Sequence, residues 1–514
     1  MTEFIEQTRM ALRTVLPEHC ILTDRHETAP FTVDTSSTVQ KIILVLRPEN
    51  KDQVQQLVIL ANSINLPLYP VSTGNNWGYG TSQPPKPDCA LVLLDQLKGI
   101  DLDEELSLLT VEPGVTQADL YDYFRSRNLD YMVPTTGAGP NCSIVGNALE
   151  RGYGITPVAD HFAAVTGLEA VMPDGEIYRS PLIACNVSPL LKWGVGPYLD
   201  GMFSQGNIGI VTSVTLVVEN RPESIQMLIA RVKYERLPQA ITSIRVLLAK
   251  ARGNIGGINV MNSERVAIMS ETGSQDSTSK KRRHRESDWL IIGTIYGTKH
   301  HARATRNLIK KELSAFSEKT FFISPQKADL IRKISSIIPG KFRKIKKNMC
   351  SLSHVLGLFT GIPSDISLQL AYYNHRHQEK CGNVNPARDN CGLLWYSPLV
   401  PMKALDFEIY IDFIYSICKK HNIEPAITLT SLSKNAFDST LPLIFTPGTS
   451  EESSAYDCYR ELLHTGKQLG FVPYRLHSAF MDAHFSRDTV HARFARKIKN
   501  TIDPNNIMSP GRYE

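Results

Sequence analysis

Mixed α and β structure in more than one domain is what the sequence predicts, on three observations. The chain has 514 residues, and at roughly 100–200 residues per domain that length suggests two to four domains, or two large ones. Strand-like and helix-like segments alternate over the first 220 residues. Composition shifts after Arg221-Pro222, and the segment to about residue 470 alternates helical and strand patterns with few glycine clusters. Hydrophobic residues are 42% and charged residues 21%, which excludes a collagen-like, low-complexity or wholly disordered chain. The charge balance, 56 basic against 51 acidic residues, is too even to point to nucleic acid or a membrane surface.

The elements follow in order. Phe4, Ile5, Met10, Leu12, Val15 and Leu16 mark a short amphipathic helix packed on the body. It lacks the continuous apolar core of a signal peptide, and no stretch nears the ~18 apolar residues of a membrane span. Residues 41–46 read as a strand, 49–64 as a helix with apolar Val54, Leu57, Val58 and Leu60, and 66–71 as a second strand. Residues 90–94, 106–111 and 209–218 read as further strands, and 119–127 as a helix. The basic stretch 280–285, flanked by Ser, Asp and Glu, reads as a solvated loop. The second, 341–347, reads as a helix face anchored by Phe342 and Ile345. Nine cysteines, widely spread, favour reduced thiols and a cytoplasmic setting.

Common signatures are missing. There is no Gly-x-x-x-x-Gly-Lys-[Ser/Thr] loop, no Gly-x-Gly-x-x-Gly between strand and helix, no His-Glu-x-x-His and no Gly-x-Ser-x-Gly. His375, His377, Cys381 and Cys391 could wrap zinc, but no Cys-x-x-Cys pair fixes the angle, and the Gly/Asn/Pro-rich stretch suits a surface loop. No metal is therefore expected.

Four glycine segments carry the chemistry: 72–80, 111–116, 137–154 and 192–209. Glycine turns let backbone N–H groups approach a polyanion closely. The strand ending at Val71 feeds such a turn, a natural pyrophosphate cradle.

These segments give the chain its resemblance to a known family. Ser72-Thr-Gly-x-Asn-x-Gly-Tyr-Gly80, Val145-Gly-Asn-x-x-x-Arg-Gly-x-Gly-x-Thr-Pro157, Lys192-Trp-Gly-x-Gly-Pro197 and Asp503-Pro-Asn-Asn-Ile-Met-Ser-Pro-Gly-Arg512 resemble the p-cresol methylhydroxylase and vanillyl-alcohol oxidase flavoproteins. The resemblance is dense in the N-terminal part, weak between about 225 and 465, and returns at the C-terminus. It implies an α+β fold. An FAD-binding domain made of residues 1–221 and 471–514 would be interrupted by a substrate (cap) domain, 222–470, carrying an antiparallel sheet.

The resemblance also implies bound FAD. Ser72, Thr73, Gly74, Asn75 and Asn76 would hold its pyrophosphate. Pro134, Thr135, Gly137, Gly139, Cys142, Gly146, Asn147, Glu150, Gly209, Ile210 and Val211 would line the rest. In the vanillyl-alcohol oxidase group the substrate is a para-alkylphenol bound as phenolate. The matching catalytic positions are Tyr79, Tyr474, Arg475 and Arg512. A free phenol has a pKa near 10, so ionising it near pH 7 needs roughly 4 kcal/mol of preferential anion stabilisation. One guanidinium and two hydroxyls can supply it. Hydride loss from the benzylic carbon would then give a quinone methide.

Tyr373, in Tyr372-Tyr-Asn-His-Arg376, matches the residue that attaches FAD covalently in the p-cresol branch; Leu393 excludes the histidyl attachment of the vanillyl branch. Cys142, before Val145-Gly146, has the spacing of a flavin-bonding cysteine in berberine-bridge relatives and also reads as a small buried thiol. Gln369 stands where the resemblance implies a Glu in the p-cresol branch, and Ile427 lies near another such acidic site. The expectation is an FAD-dependent oxidoreductase, oxidase or dehydrogenase, of a para-substituted phenol. Partners expected are a small-molecule substrate, a second copy in a homodimer and an electron-acceptor protein, with no nucleic acid and no membrane. A 2-hydroxy acid, sugar or natural-product substrate is the alternative, since Arg475 and Arg512 could hold a carboxylate. A non-catalytic interaction protein using the loop 280–285 is the alternative from another class.

Overall fold

A computed structural model of the chain describes residues 2–37, 42–269, 288–328, 330, 333, 355–375, 383–481 and 489–514. The basic stretches 280–285 and 341–347, together with His377 and Cys381, lie outside the described residues.

Three sheets organise the described residues. The first takes strands Ile21–Leu22, Ile42–Leu46, Cys89–Leu93 and Leu68–Val71 in that order, parallel except at the first pair. Helix Lys51–Ser63 connects two of these strands, and the Asn50 side chain accepts from the Gln53 N–H at its start. It buries Val54, Leu57, Val58 and Ala61 against Leu44, Leu46 and Leu68. Each large aliphatic so buried contributes about 1.5–3 kcal/mol. Ile507 and Met508 complete this core, and Leu68 exchanges backbone bonds with the same segment, from its N–H to Ile507 O (2.7 Å) and from Ser509 N–H to its carbonyl (2.8 Å). The C-terminal segment thus returns to the N-terminal sheet.

The second sheet is antiparallel, in the order Ile100–Asp103, Leu108–Val111, Ile210–Val217, Val165–Val171 and Ile177–Arg179. Helix Gln117–Ser126 packs on it, begun by a Thr116/Asp119 capping box.

The third sheet, eight-stranded and antiparallel, is built from residues 224–445. Four helices, Leu237–Lys250, Lys299–Leu313, Ala404–Lys420 and Ser450–Leu469, bury their apolar faces in its core. The last of these ends at Gly470, which takes the left-handed conformation (φ 86°) that glycine adopts freely. Mixed helices and sheets, with an antiparallel sheet in the middle of the chain, agree with the α+β expectation.

The sequence-read elements fall where expected to within a few residues: Thr2–Leu12, Ile42–Leu46, Lys51–Ser63, Leu68–Val71, Cys89–Leu93, Leu108–Val111, Gln117–Ser126 and Ile210–Val217.

Candidate flavin and substrate site

The three sheets meet around a cavity of about 390 Å³. Strand Leu68–Val71 ends directly in the turn 72–76, which forms one wall. The turn is tied by Thr73 Oγ1 and Asn75 Nδ2, both donating to Asn141 O (3.1 and 2.8 Å). The N–H groups of residues 73–76 donate to no protein acceptor among the described residues. Gly74 holds φ +70°, and a Cβ there would sit 2.3 Å from Ser82 Oγ. A Cβ at Gly146 would sit 2.2 Å from Ser72 Oγ. This is a glycine-lined cradle of unspent amides, which fits the diphosphate of FAD.

The opposite side carries charge. Glu150 lies between two arginines: its Oε2 is 3.3 Å from Arg475 Nε, and its Oε1 accepts from Arg512 Nη2. Burial alone would raise the Glu150 carboxyl, but Arg512 and Arg475 hold it below the usual range. Arg512 also donates to Gly206 O (3.1 Å) and Tyr69 Oη (3.4 Å). The run Asp503–Arg512 explains this placement: the buried Asp503 carboxylate accepts from Ile507 N–H (3.0 Å), Met508 N–H (2.8 Å) and Lys499 Nζ, which turns the chain toward the cavity.

Arg475 reaches over the ring of Tyr79, 4.4 Å from its centroid, and donates to Asn76 Oδ1. Tyr79 Oη lies 2.7 Å from Ser397 Oγ. With Ser397 as donor, the Tyr79 O–H is free for another acceptor. Burial pushes Tyr79 above the usual tyrosine range against the opposing charge of Arg475, so it is a neutral donor. Segment 471–481 is held in place by Tyr474 N–H to Ser397 O (3.3 Å), Ser478 N–H to Tyr79 O (3.1 Å) and the buried His477–Asp34 pair (3.1 Å).

Ser72, Thr73, Gly74, Asn75, Asn76, Gly137, Cys142, Gly146, Asn147, Glu150, Gly209 and Val211 line this cavity, as do Tyr79, Arg475 and Arg512. Pro134, Thr135, Gly139 and Ile210 do not. Pro134 borders a small neighbouring pocket with Asn147 and His161. Thr135 Oγ1 donates to Leu358 O (2.7 Å), and Ile210 is a core residue. Tyr474 also lies outside the lining, with its ring 6.1 Å from that of Tyr153. Tyr373 is exposed in a short 3-10 turn and is not part of the wall. Cys142 is buried, its thiol pushed up to about 11 by burial. Of the segment 192–209, Trp193 and Val195 are exposed, and only residues from Phe203 onward reach the cavity.

Several lining residues carry no motif. Leu393 and Trp395 come from strand Gly392–Tyr396, Thr440 from its partner Ala436–Phe445, and Arg265 from helix Ser263–Met269. Beside them, Tyr153 Oη donates to the fully buried Asp438 Oδ2. Burial raises the Asp438 carboxyl to about 7, with the Tyr153 bond opposing the shift. Leu393 enters the sequence reading only as the position that excludes histidyl attachment and Tyr153 only as a member of the 137–154 stretch; no sequence signal marks Trp395, Thr440, Arg265 or Asp438 as site residues.

Comparison with known proteins agrees with the geometry. A family model described as an FAD binding domain matches residues 42–180. The chain is 28% identical to 1'-carboxy-chondrochloren decarboxylase of Chondromyces crocatus, across 100% of this chain and 98% of that protein. It is 25% identical to the 4-cresol dehydrogenase [hydroxylating] flavoprotein subunit of Pseudomonas putida, across 90% of this chain and 85% of that one. The crystal structure of p-cresol methylhydroxylase with substrate bound superposes with a TM-score of 0.85 at 21% identity, over 100% of this chain and 97% of the other. The chain thus carries an FAD-binding domain over residues 42–180, is similar over most of its length to the 4-cresol dehydrogenase flavoprotein subunit, and shares the fold of p-cresol methylhydroxylase, as expected of an FAD-dependent oxidoreductase.

Proposed function

We propose that the enzyme oxidises a para-substituted phenol, bound as its phenolate, at the benzylic carbon. One observation carries the reading: the Arg475 guanidinium lies over the Tyr79 ring, 4.4 Å from its centroid, in the same cavity as the amide cradle. The cradle of residues 73–76, with Gly146 behind it, would hold the FAD diphosphate. Bound FAD supplies a two-electron acceptor for the benzylic hydride. The chain's own residues bind and polarise the phenol. Tyr79 donates its O–H to the phenolate oxygen while accepting from Ser397, and Arg475 adds a charge whose counterion, Glu150, is shared with Arg512. Apolar Leu370, Leu393 and Trp395 keep the ring dry, which strengthens both interactions. The electron-rich phenolate eases hydride loss and leaves a quinone methide.

A second outcome shares that first step. If the carbon next to the benzylic one bears a carboxylate, the quinone methide can lose CO2: the C–C bond pair forms a new double bond and the ring returns to phenolate. The full-length relative named as a decarboxylase favours this branch. An electron-acceptor protein and a homodimer complete the proposal.

The test is anaerobic mixing of the FAD-loaded enzyme with 4-ethylphenol and with 3-(4-hydroxyphenyl)propanoate. Bleaching of the flavin band, slowed several-fold by benzylic deuterium, is the expected result. The Tyr79→Phe variant should keep its flavin and bleach about 10–100-fold more slowly, the scale of one lost charge-assisted hydrogen bond. Bleaching by 2-hydroxy acids and by no phenol would overturn the proposal.

A further inference from the structure

Three arginines line the cavity, and two of them share a counterion. Arg475 and Arg512 both meet Glu150. Arg265 does not have one. Its Nε and Nη1 are buried with no hydrogen-bond partner, and among the described residues no carboxylate pairs with it. The Trp395 ring lies beside it, its centroid 5.5 Å from the guanidinium carbon, and apolar Met269, Leu370 and Leu393 line the same cavity. Burial lowers its pKa only to about 10, with the nearby Tyr153 opposing the shift, so the side chain stays charged at neutral pH. A cation with Nε and Nη1 shut off from water and unpaired is costly to a fold. It is expected where a ligand completes the pair.

The ligand class follows from position and charge. The diphosphate cradle, residues 73–76, is built from amides and does not involve Arg265. Trp395 connects Arg265 to the phenol end: its indole packs on Gly78, next to Tyr79, where a Cβ would sit 2.3 Å from its Cδ1. Arg265 and the Gly78–Tyr79 turn therefore both pack against the Trp395 indole, which places the cation beside the phenol end of the cavity. One guanidinium in an apolar wall is neutralised by a monoanion, and its planar fork matches a carboxylate. A phosphate dianion would bring excess negative charge into the same wall.

We propose that Arg265 binds a carboxylate on the substrate's para side chain, so the substrate is a 4-hydroxyphenyl carboxylic acid and not a neutral alkylphenol. The inference rests on the phenol reading of the same cavity and specifies its substrate. A guanidinium–carboxylate pair of this kind is a charge-assisted interaction and should favour the acid by about 10–100-fold.

The experiment compares 3-(4-hydroxyphenyl)propanoate with 4-propylphenol, which differ mainly in the carboxylate. Apparent dissociation constants come from the concentration dependence of anaerobic flavin bleaching, in wild type, Arg265→Leu and Arg265→Lys. The wild type should prefer the acid by about 10–100-fold; Arg265→Leu should abolish that preference while leaving 4-propylphenol within about twofold, and Arg265→Lys should restore part of it. Retained flavin and an unchanged or higher Tm would confirm an intact fold, because the substitution removes an uncompensated buried charge. Equal losses for both phenols, or an unchanged preference in Arg265→Leu, would overturn the proposal. Should neither phenol bleach the flavin, the phenol reading itself fails. Equilibrium binding of 3-phenylpropanoate, followed by perturbation of the flavin band, then still reads Arg265: dependence on it supports carboxylate binding, and independence overturns it.

Discussion

Replacing Glu150 with Gln keeps the shape of the side chain and removes its charge. In the native site Glu150 Oε2 stands 3.3 Å from Arg475 Nε, and Oε1 bonds Arg512, with all three side chains at least four-fifths buried. At 3.3 Å and an effective dielectric near 20, the Arg475 pair alone is worth about 5 kcal/mol gross. Removing Glu150 also relieves its own desolvation, so the net cost falls to about 3–5 kcal/mol, typical of a broken buried pair. The triad's net charge rises from +1 to +2. A second effect therefore opposes the first: the extra positive charge favours a bound phenolate, so the bound phenol ionises at lower pH. Urea unfolding of the flavin-loaded enzyme should show the destabilisation, and the pH dependence of flavin bleaching should rise at lower pH than in wild type. Stability within about 0.5 kcal/mol of wild type, together with an unmoved pH profile, would refute the reasoning.

Two further predictions come from the same geometry. Gly146→Ala places a methyl group 2.2 Å from Ser72 Oγ; displacement of the 72–76 turn should cost about 1–3 kcal/mol and lower the FAD content of purified protein, measured by absorbance ratio. Asp438 has its carboxyl raised to about 7 by burial, so between the unfolded pKa near 4 and pH 7 the native state binds the extra proton and stability falls as pH rises. Asp438→Asn should remove up to about 4 kcal/mol of that fall, seen as a flatter plot of unfolding free energy between pH 4 and 7.

Much of the flavin side of the cavity was legible in the sequence. Glycine and asparagine punctuate the 72–76 turn and the 137–154 stretch because backbone must approach there closely, and such residues announce themselves. Tyr79 sits beside the first of those runs, Arg512 ends the run Asp503–Arg512, and Arg475 is marked by the family resemblance alone. Glu150 was read as a lining residue, but its work as the counterion of two arginines appears only once 471–481 and 503–512 fold back onto the first sheet. The substrate side was less legible. Trp395 and Leu393 lie on a strand, Gly-Leu-Leu-Trp-Tyr, that is apolar on both faces, so alternation does not say which residues meet the cavity. Arg265 stands on a seven-residue helix without a motif. The strand Val165–Val171 is hard to read for a related reason: its interior Gly167 and Glu169 break the apolar pattern, although it lies inside the second sheet.

The measurement that bears most directly on the central claim is anaerobic reduction of the purified, FAD-loaded enzyme by a para-substituted phenol. The geometry of Tyr79, Arg475 and the amide cradle predicts stoichiometric bleaching of the flavin by 3-(4-hydroxyphenyl)propanoate, lost when the phenol hydroxyl is methylated. Equal bleaching by the methyl ether, or none by either compound, would contradict it.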